Sequence, residues 1–319
     1  MEAAGFLADL EEKPARLREL ADVVERDDPW GGVLDGVDRL VILGMGSSHY
    51  AGAVAAARLR RHGFSAVAEI ASSDLLPALS PDTAVVAISA SGESEETLAA
   101  VDQYSGRCRV IAMTNTAGST LARAADVSVP MHAGREAGGV ACRSYQHTLG
   151  LLVALECRLA GVGRESAGRL LRLAADASAD LLGRRDDWLP RVRELLDGPN
   201  GVYVAAPARR LSSAQQSALM LREGPRIAAT ACESGDWSHV DVYLTKTLDY
   251  RLLFFSGSRW DAGLLRWIDE RKSTLVAVGA DVPGAAFSLR YRGDDDDDVR
   301  LVTEVIATEL LAHDLWSSP

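Results

Sequence analysis

The sequence predicts an α/β protein built as two similar, doubly wound parallel-sheet domains in tandem. Three observations carry this. Short apolar runs such as "RLVILG" and "TAVVAI" end in glycine- or serine-rich turns and alternate with helix-period segments, as strands covered on both faces do. The order of these units in the first half recurs in the second. The chain has 319 residues, 47% of them hydrophobic, which suffices for about two domains of ordinary size.

Taken in order, "MEAAGFLADLEEKPARLREL" reads as an acidic, amphipathic helix forming a leader over residues 1–30. It lacks the apolar centre of a signal peptide, and no run approaches the roughly 20 apolar residues of a membrane-spanning helix, so a cytoplasmic protein is expected. "DRLVILGMG" reads as a strand entering a glycine turn and "SSHYAGAVAAARLRRHG" as the helix that follows. The pattern continues with "SAVAEI" as strand, "SSDLLPAL" as a short helix, "TAVVAIS" as strand and "SEETLAAVDQY" as helix. "RVIAMTN" (strand), "STLARAA" (helix) and "DVSVP" (strand) complete a first domain over residues 31–165. Helical sequence runs from about Cys142 to Leu196, broken near Gly161 and Gly163, and residues 166–198 of it connect the domains. "GPNG" marks the break before the second domain, residues 199–319. There "GVYVAAPARRLSSAQQSALMLRE" parallels "RLVILGMGSSHYAGAVAAARLR", "DYRLLFFSGS" parallels "DTAVVAISASGES", and "STLVAVGAD" parallels "RVIAMTNTA".

Charge and cysteine usage narrow the function. With 45 acidic against 34 basic residues the net charge is -11, which opposes nucleic-acid binding over a broad surface, so an anionic ligand must be held locally. Cys108, Cys142, Cys157 and Cys232 have no CxxC spacing, which indicates neither zinc nor a disulfide framework. The run Asp294–Asp298 lacks the spaced ligands of a calcium loop and is read as a solvated loop capping the last helix.

"SASGESEET", residues 89–97, is where that local anion site is expected. It follows a buried strand and opens a helix, a position where free amides and the helix dipole favour negative charge. Ser89, Ser91 and Ser94 offer hydroxyls, and Gly92 allows close backbone approach. The plainer reading is that these serines cap the helix. "GMGSSHY" places Ser47 and Ser48 at a second strand-to-helix turn on the same sheet edge. A dinucleotide site is the rival there, with Glu69 near the expected acidic position, but the third glycine is missing and His49 stands in its place.

"GMGSSHYAG", "EIASSD", "ISASGESEETL" and "MTNTAGSTLARAADVSVPMHAGREAGGVACRSY" together resemble the sugar isomerase (SIS) domain family. Two such flavodoxin-like domains in tandem are similar to the isomerase half of glucosamine-6-phosphate synthase and to stand-alone amino-sugar relatives. "DLEEKP" resembles the leader before that pair. The resemblance implies that Ser47, Ser48, Ser89, Ser91 and Ser94 hold a sugar 6-phosphate and that the backbone near Gly139 lies against the sugar. "ALMLREGPRIAATACESGDWSHV" resembles the family's catalytic segment. Glu223 matches the carboxylate that moves a proton between C1 and C2, and His239 matches the histidine that assists ring opening, which in the family reaches the site from a neighbouring subunit. Read alone, Glu223 is an ordinary helix-end glutamate and His239 a polar loop residue.

There are departures from the family pattern. Met220 stands where the family has a lysine, two further family lysines have no counterpart before "LLAHDLWSSP", and Lys246 is open to either a substitute role or a structural one. No glutaminase domain is expected. The resemblance implies an isomerase or deaminase of a hexose 6-phosphate, such as glucosamine 6-phosphate or fructose 6-phosphate. It further implies no metal or organic cofactor and a homodimer with a shared site, while charge and hydropathy argue against nucleic acid and membrane as partners. The alternative is a sugar-phosphate-binding regulatory module without chemistry.

Overall fold

The computed structural model describes residues 1–80 and 82–317. They form two compact units: the first is Ala15–Arg135 with Arg143–Arg172, and the second is Met1–Pro14, Glu136–Cys142 and the chain from Leu173 onward.

The first unit is built on β1 (Arg39–Gly44), β2 (Ser65–Ile70), β3 (Thr83–Ile88), β4 (Arg109–Thr114) and β5 (Val127–Pro130), all parallel, in the order β2-β1-β3-β4-β5. Every residue of β3 is buried, so an uninterrupted apolar run rather than an alternating one is what this central strand requires. The helices α2 (Ser47–Arg61), α3 (Glu95–Asp102) and α4 (Thr120–Ala124) follow β1, β3 and β4, and α5 (Arg143–Leu159) packs against α2. Gly52 makes room for β1, because a Cβ there would lie 2.8 Å from Ile42 Cγ2.

The second unit repeats the plan. Its strands β6 (Val202–Ala206), β7 (Ala229–Glu233), β8 (Arg251–Phe255), β9 (Thr274–Val278) and β10 (Phe287–Leu289) are parallel in the order β10-β9-β8-β6-β7. Read from the other edge this is the same second-first-third-fourth-fifth order as in the first sheet. The unit's helices include α7 (Arg185–Leu196), α8 (Leu211–Glu223), α9 (Asp261–Arg271), α10 (Asp297–Thr303) and α11 (Ile306–Ser317). The helices α1 (Ala3–Asp27) and α6 (Arg164–Gly183) contribute residues to both units.

Several elements differ from the sequence expectation. "SSDLLPAL" is a bend and not a helix: Pro77 lacks an amide and biases Leu76 toward extended backbone, while Ser73 Oγ accepts the Leu75 N–H at 3.1 Å. The helical run after Gly163 breaks again between α6 and α7, beside Gly183. The sheet-edge strands β7 and β10 are additions, too short and mixed in polarity to stand out. The acidic run is only partly solvated. Asp296 caps α10, not the last helix, by accepting the Asp298 and Val299 amides, but Asp294 is bound by Arg290 and Asp297 by Arg209 and Arg210. Arg209 and Arg210 lie 88 and 87 residues from Asp297 along the chain, so the run alone did not announce them. Among the described residues, no helix is long and apolar enough to cross a membrane.

Candidate active site

In the first unit the chain leaves β1 for β2 on one side and reaches β3 on the other, so the strand order reverses between β1 and β3. Open α/β sheets bind ligands at such a reversal, beyond the carboxyl ends of the strands. Gly44 of β1 is paired with Ile88 of β3, so the two serine-bearing loops leave the sheet side by side. The structure therefore brings Ser47, Ser48, Ser89, Ser91 and Ser94 to one edge of one sheet.

Their hydroxyls are not equally committed. Ser47 and Ser48 open α2 after Gly46, which has φ 47°, and neither side chain makes a hydrogen bond among the described residues. A Cβ on Gly44 would meet Ser48 Cβ at 2.8 Å, which is why glycine ends the strand. Ser89 Oγ accepts the Gly92 amide at 3.2 Å, and Ser91 Oγ accepts the Glu93 amide at 3.2 Å. Ser94 is the N-cap of α3: its oxygen accepts from Thr97 N and it donates to Glu96 at 2.8 Å. The capping reading thus holds for Ser94, while Ser47 and Ser48 retain full donor capacity. Glu93 accepts the Thr120 amide and hydroxyl at 2.8 and 2.7 Å, tying the loop to α4, and these bonds hold its carboxyl below the usual range. Gly92, at φ 69°, has no space for a side chain, since a Cβ would lie 2.1 Å from Ser119 Oγ. A cleft of about 840 Å³ opens nearby at the ends of β4 and β5 and includes Asn115, Arg123 and His132, but none of the five serines lines it.

The second unit contains Glu223, His239 and Gly139. Glu223 ends α8 half-buried, and burial raises its carboxyl above the usual range, opposed by Arg222. Among the described residues the carboxylate accepts no hydrogen bond. Gly139 lies in the 136–142 turn, which is linked to α8 where Gln216 Nε2 donates to Ala141 O at 3.0 Å. A second link runs through α11: a Cβ on Gly224 would meet Trp316 at 3.0 Å, and Trp316 packs on Phe6, whose backbone abuts Gly138. Glu223 and the Gly139 turn therefore belong to one neighbourhood.

His239 does not join them. α8 runs back to the amino edge of the sheet, where β7 begins, whereas His239 follows the carboxyl end of β7. Five strand residues span about 15 Å. His239 is exposed and follows the short 3-10 helix Asp236–Ser238. Its loop is held by a buried chain in which Trp237 Nε1 donates to Tyr250 Oη at 2.7 Å and Tyr250 donates to Asp241 Oδ2 at 3.0 Å. Around it, Val240, Tyr243 and Trp260 are 52%, 61% and 55% exposed. Lys246 is exposed at the end of the 3-10 helix Asp241–Lys246, with its ammonium over the Tyr243 ring. Met220 is buried in α8, beside the Gln216 amide.

Sequence reasoning missed Asp9, Lys13 and Gln216. A signal for the first two existed: they share the helical period of Phe6, Leu10 and Leu17 on α1, so charge appears on a core-facing stripe.

Residues 34–156 match the family model described as SIS domain. A glutamine–fructose-6-phosphate aminotransferase (isomerizing) of Aeropyrum pernix is 32% identical over 255 residues, 76% of this chain and 41% of that protein. The chain thus spans half or less of the length of the curated relatives it matches. Among solved structures, the C-terminal domain of glucosamine-fructose-6-phosphate aminotransferase from Francisella tularensis superposes with a TM-score of 0.83 at 17% identity, covering 98% of this chain and 94% of that one. Glucosamine-6-phosphate deaminase from Thermotoga maritima gives 0.72 at 17% identity, covering 98% and 93%.

Proposed function

From the SIS domain match over residues 34–156, we propose that this chain binds a hexose 6-phosphate and moves a proton between C1 and C2, either isomerising the sugar or releasing its 2-amino group. The observation that carries this reading is the pair of serine loops leaving paired strand ends at the reversal of the first sheet, with the Ser47 and Ser48 hydroxyls uncommitted. These hydroxyls and those of Ser89, Ser91 and Ser94, the last in exchange for its bond to Glu96, take the phosphate oxygens. Hydroxyls and backbone dipoles suffice for a phosphate at such an edge, without a local cation.

The chemistry falls to Glu223. On the open-chain aldose its carboxylate takes the C2 proton, giving an enediol or enolamine, and returns it at C1 as the carbonyl forms at C2. With an amino sugar, the resulting C2 imine is hydrolysed by water to release ammonia. A carboxyl raised by burial is a stronger base than an exposed one, which suits this transfer. The backbone at Gly139 lies against the sugar. His239 assists ring opening, and its separation from Glu223 along β7 supports its donation to a partner chain. The exposed Val240, Tyr243 and Trp260 around it support a homodimer in which a second copy covers this face. The common strand order of the two sheets supports a second SIS domain in the second unit.

One observation favours a binding module instead. The position one turn before Glu223 is the buried, uncharged Met220, so no cation assists the carboxylate from there. A panel of 2-amino, 2-acetamido and neutral hexose 6-phosphates in deuterated water, followed by NMR, separates the readings. Deuterium at C1 or C2 is the expected result. Binding without exchange would favour the module, and absence of binding across the panel would overturn both.

A further inference from the structure

We propose that Asp9, on the N-terminal helix, is a positioning residue of this site: its carboxylate fixes the backbone of the 136–142 turn and hence where Gly139 meets the sugar. The inference rests on the reading that this turn faces the substrate.

Asp9 is 2% exposed, on the same stripe of α1 as Phe6, Leu10 and Lys13. A carboxylate buried there is tolerated only where donors meet it. Two of those donors are backbone amides of the turn: Asp9 Oδ1 accepts the Ala137 N–H at 2.9 Å and Oδ2 accepts the Gly138 N–H at 2.7 Å. Each oxygen serves a different amide, so the pair fixes the orientation of two successive peptide planes. The contact is close because both segments use glycine. A Cβ on Gly138 would lie 2.6 Å from Phe6 Cα, and one on Gly5 would lie 2.9 Å from the Ala137 carbonyl carbon. The Glu2 amide donates to Gly138 O at 3.2 Å on the same side.

The far end of the turn is held separately. Cys142 N donates to Glu136 Oε1 at 2.7 Å, and Gln216 Nε2 donates to Ala141 O at 3.0 Å. Between these anchors, Gly139 and Val140 make no hydrogen bond among the described residues, and Gly139 is exposed at φ 70°. The turn is thus pinned at both ends and unpaired in the middle, which is the arrangement that lets backbone groups contact a ligand without rearranging.

Asp9→Asn retains one acceptor oxygen but turns an amide NH2 toward the second N–H, so the turn should loosen while α1 keeps its shape. The expected result has two parts. Backbone amide exchange of residues 136–142, read by mass spectrometry, accelerates about tenfold or more with the rest of the chain unchanged. Proton transfer on the sugar phosphate, measured as deuterium incorporation per folded molecule, falls about 10- to 100-fold while affinity for inorganic phosphate stays within twofold. Asp9→Glu, which keeps two carboxylate oxygens, should recover part of the loss. If Asp9→Asn does not fold, Gln216→Leu releases the same turn from α8 and should give the same split.

A folded Asp9→Asn protein with native protection of the turn, or with native kcat and KM, would overturn the proposal. So would losses of sugar turnover and phosphate affinity in equal measure, which mark a merely structural role. Should the unaltered protein transfer no proton on any sugar phosphate, it is the proposed function that fails, and the amide-exchange result alone then decides whether Asp9 holds the turn.

Discussion

Ser47 and Ser48 differ from Ser94 in their commitments: Ser94 accepts the Thr97 amide and donates to Glu96, while the other two hydroxyls have no partner among the described residues. Ser47→Ala with Ser48→Ala should therefore weaken binding of a phosphate ester by about 1 to 3 kcal/mol through lost hydrogen bonds to a charged group, with little change in stability. Isothermal titration with the ester against both proteins checks this. Glu223 is the opposite case, a carboxyl whose burial disfavours its charge. Glu223→Gln should lower turnover about a hundredfold or more, and the acid limb of the native pH–rate profile should lie above 4.5, the ordinary glutamate value. The same shift has a stability consequence. With the folded-state value raised, the group's contribution is fully present below the ordinary carboxylate range and is lost as pH rises through the raised value. Thermal unfolding should accordingly find Glu223→Gln more stable than the native protein at pH 8, with the gap closing by about pH 4.

At the scale of elements, the hydroxyl loop depends on glycine. Gly92→Ala combines a left-handed φ of 69° with a Cβ set against Ser119 Oγ, so it should cost about 1 to 3 kcal/mol in urea unfolding and weaken phosphate-ester binding as the loop shifts. This loop was legible in the sequence because strand, turn, cap and helix succeed one another within a few residues, each with its own chemical signature. The central strand β3 was legible because five of its six residues are apolar. The bend at "SSDLLPAL" was misread because three leucines suggested an amphipathic helix while one proline decided the backbone. What local reading does not reach is the support of the turn at 136–142, since Asp9 and Gln216 lie far from it along the chain. The neutralisation of Asp297 by Arg209 and Arg210 was hidden by the same distance. Glu223 and His239 became candidates only through resemblance, as neither spacing nor composition distinguishes a carboxylate at a helix end.

For the whole molecule, two sheets of one strand order raise the question of how many phosphates a chain holds. In the second unit the loop after β8 is already occupied: Gly257 and Ser258 donate their amides to Asp261 Oδ2 at 2.6 and 3.1 Å, and Arg210 and Arg300 bind Ser256 O. A carboxylate of the chain itself stands where the first unit offers hydroxyls, so calorimetry should find one sugar phosphate bound per chain and not two. The proposal that one such phosphate site is completed by a histidine from a second chain is decided by complementation. A chain carrying Ser89→Ala and Ser91→Ala is mixed with a chain carrying His239→Ala, and deuterium incorporation at C1 or C2 of the sugar phosphate is followed. Each heterodimer then has one site with both an intact cradle and an intact histidine, so about half the native exchange per heterodimer should return. Two inactive chains that stay inactive when mixed, although heterodimers form, would exclude a site shared between chains.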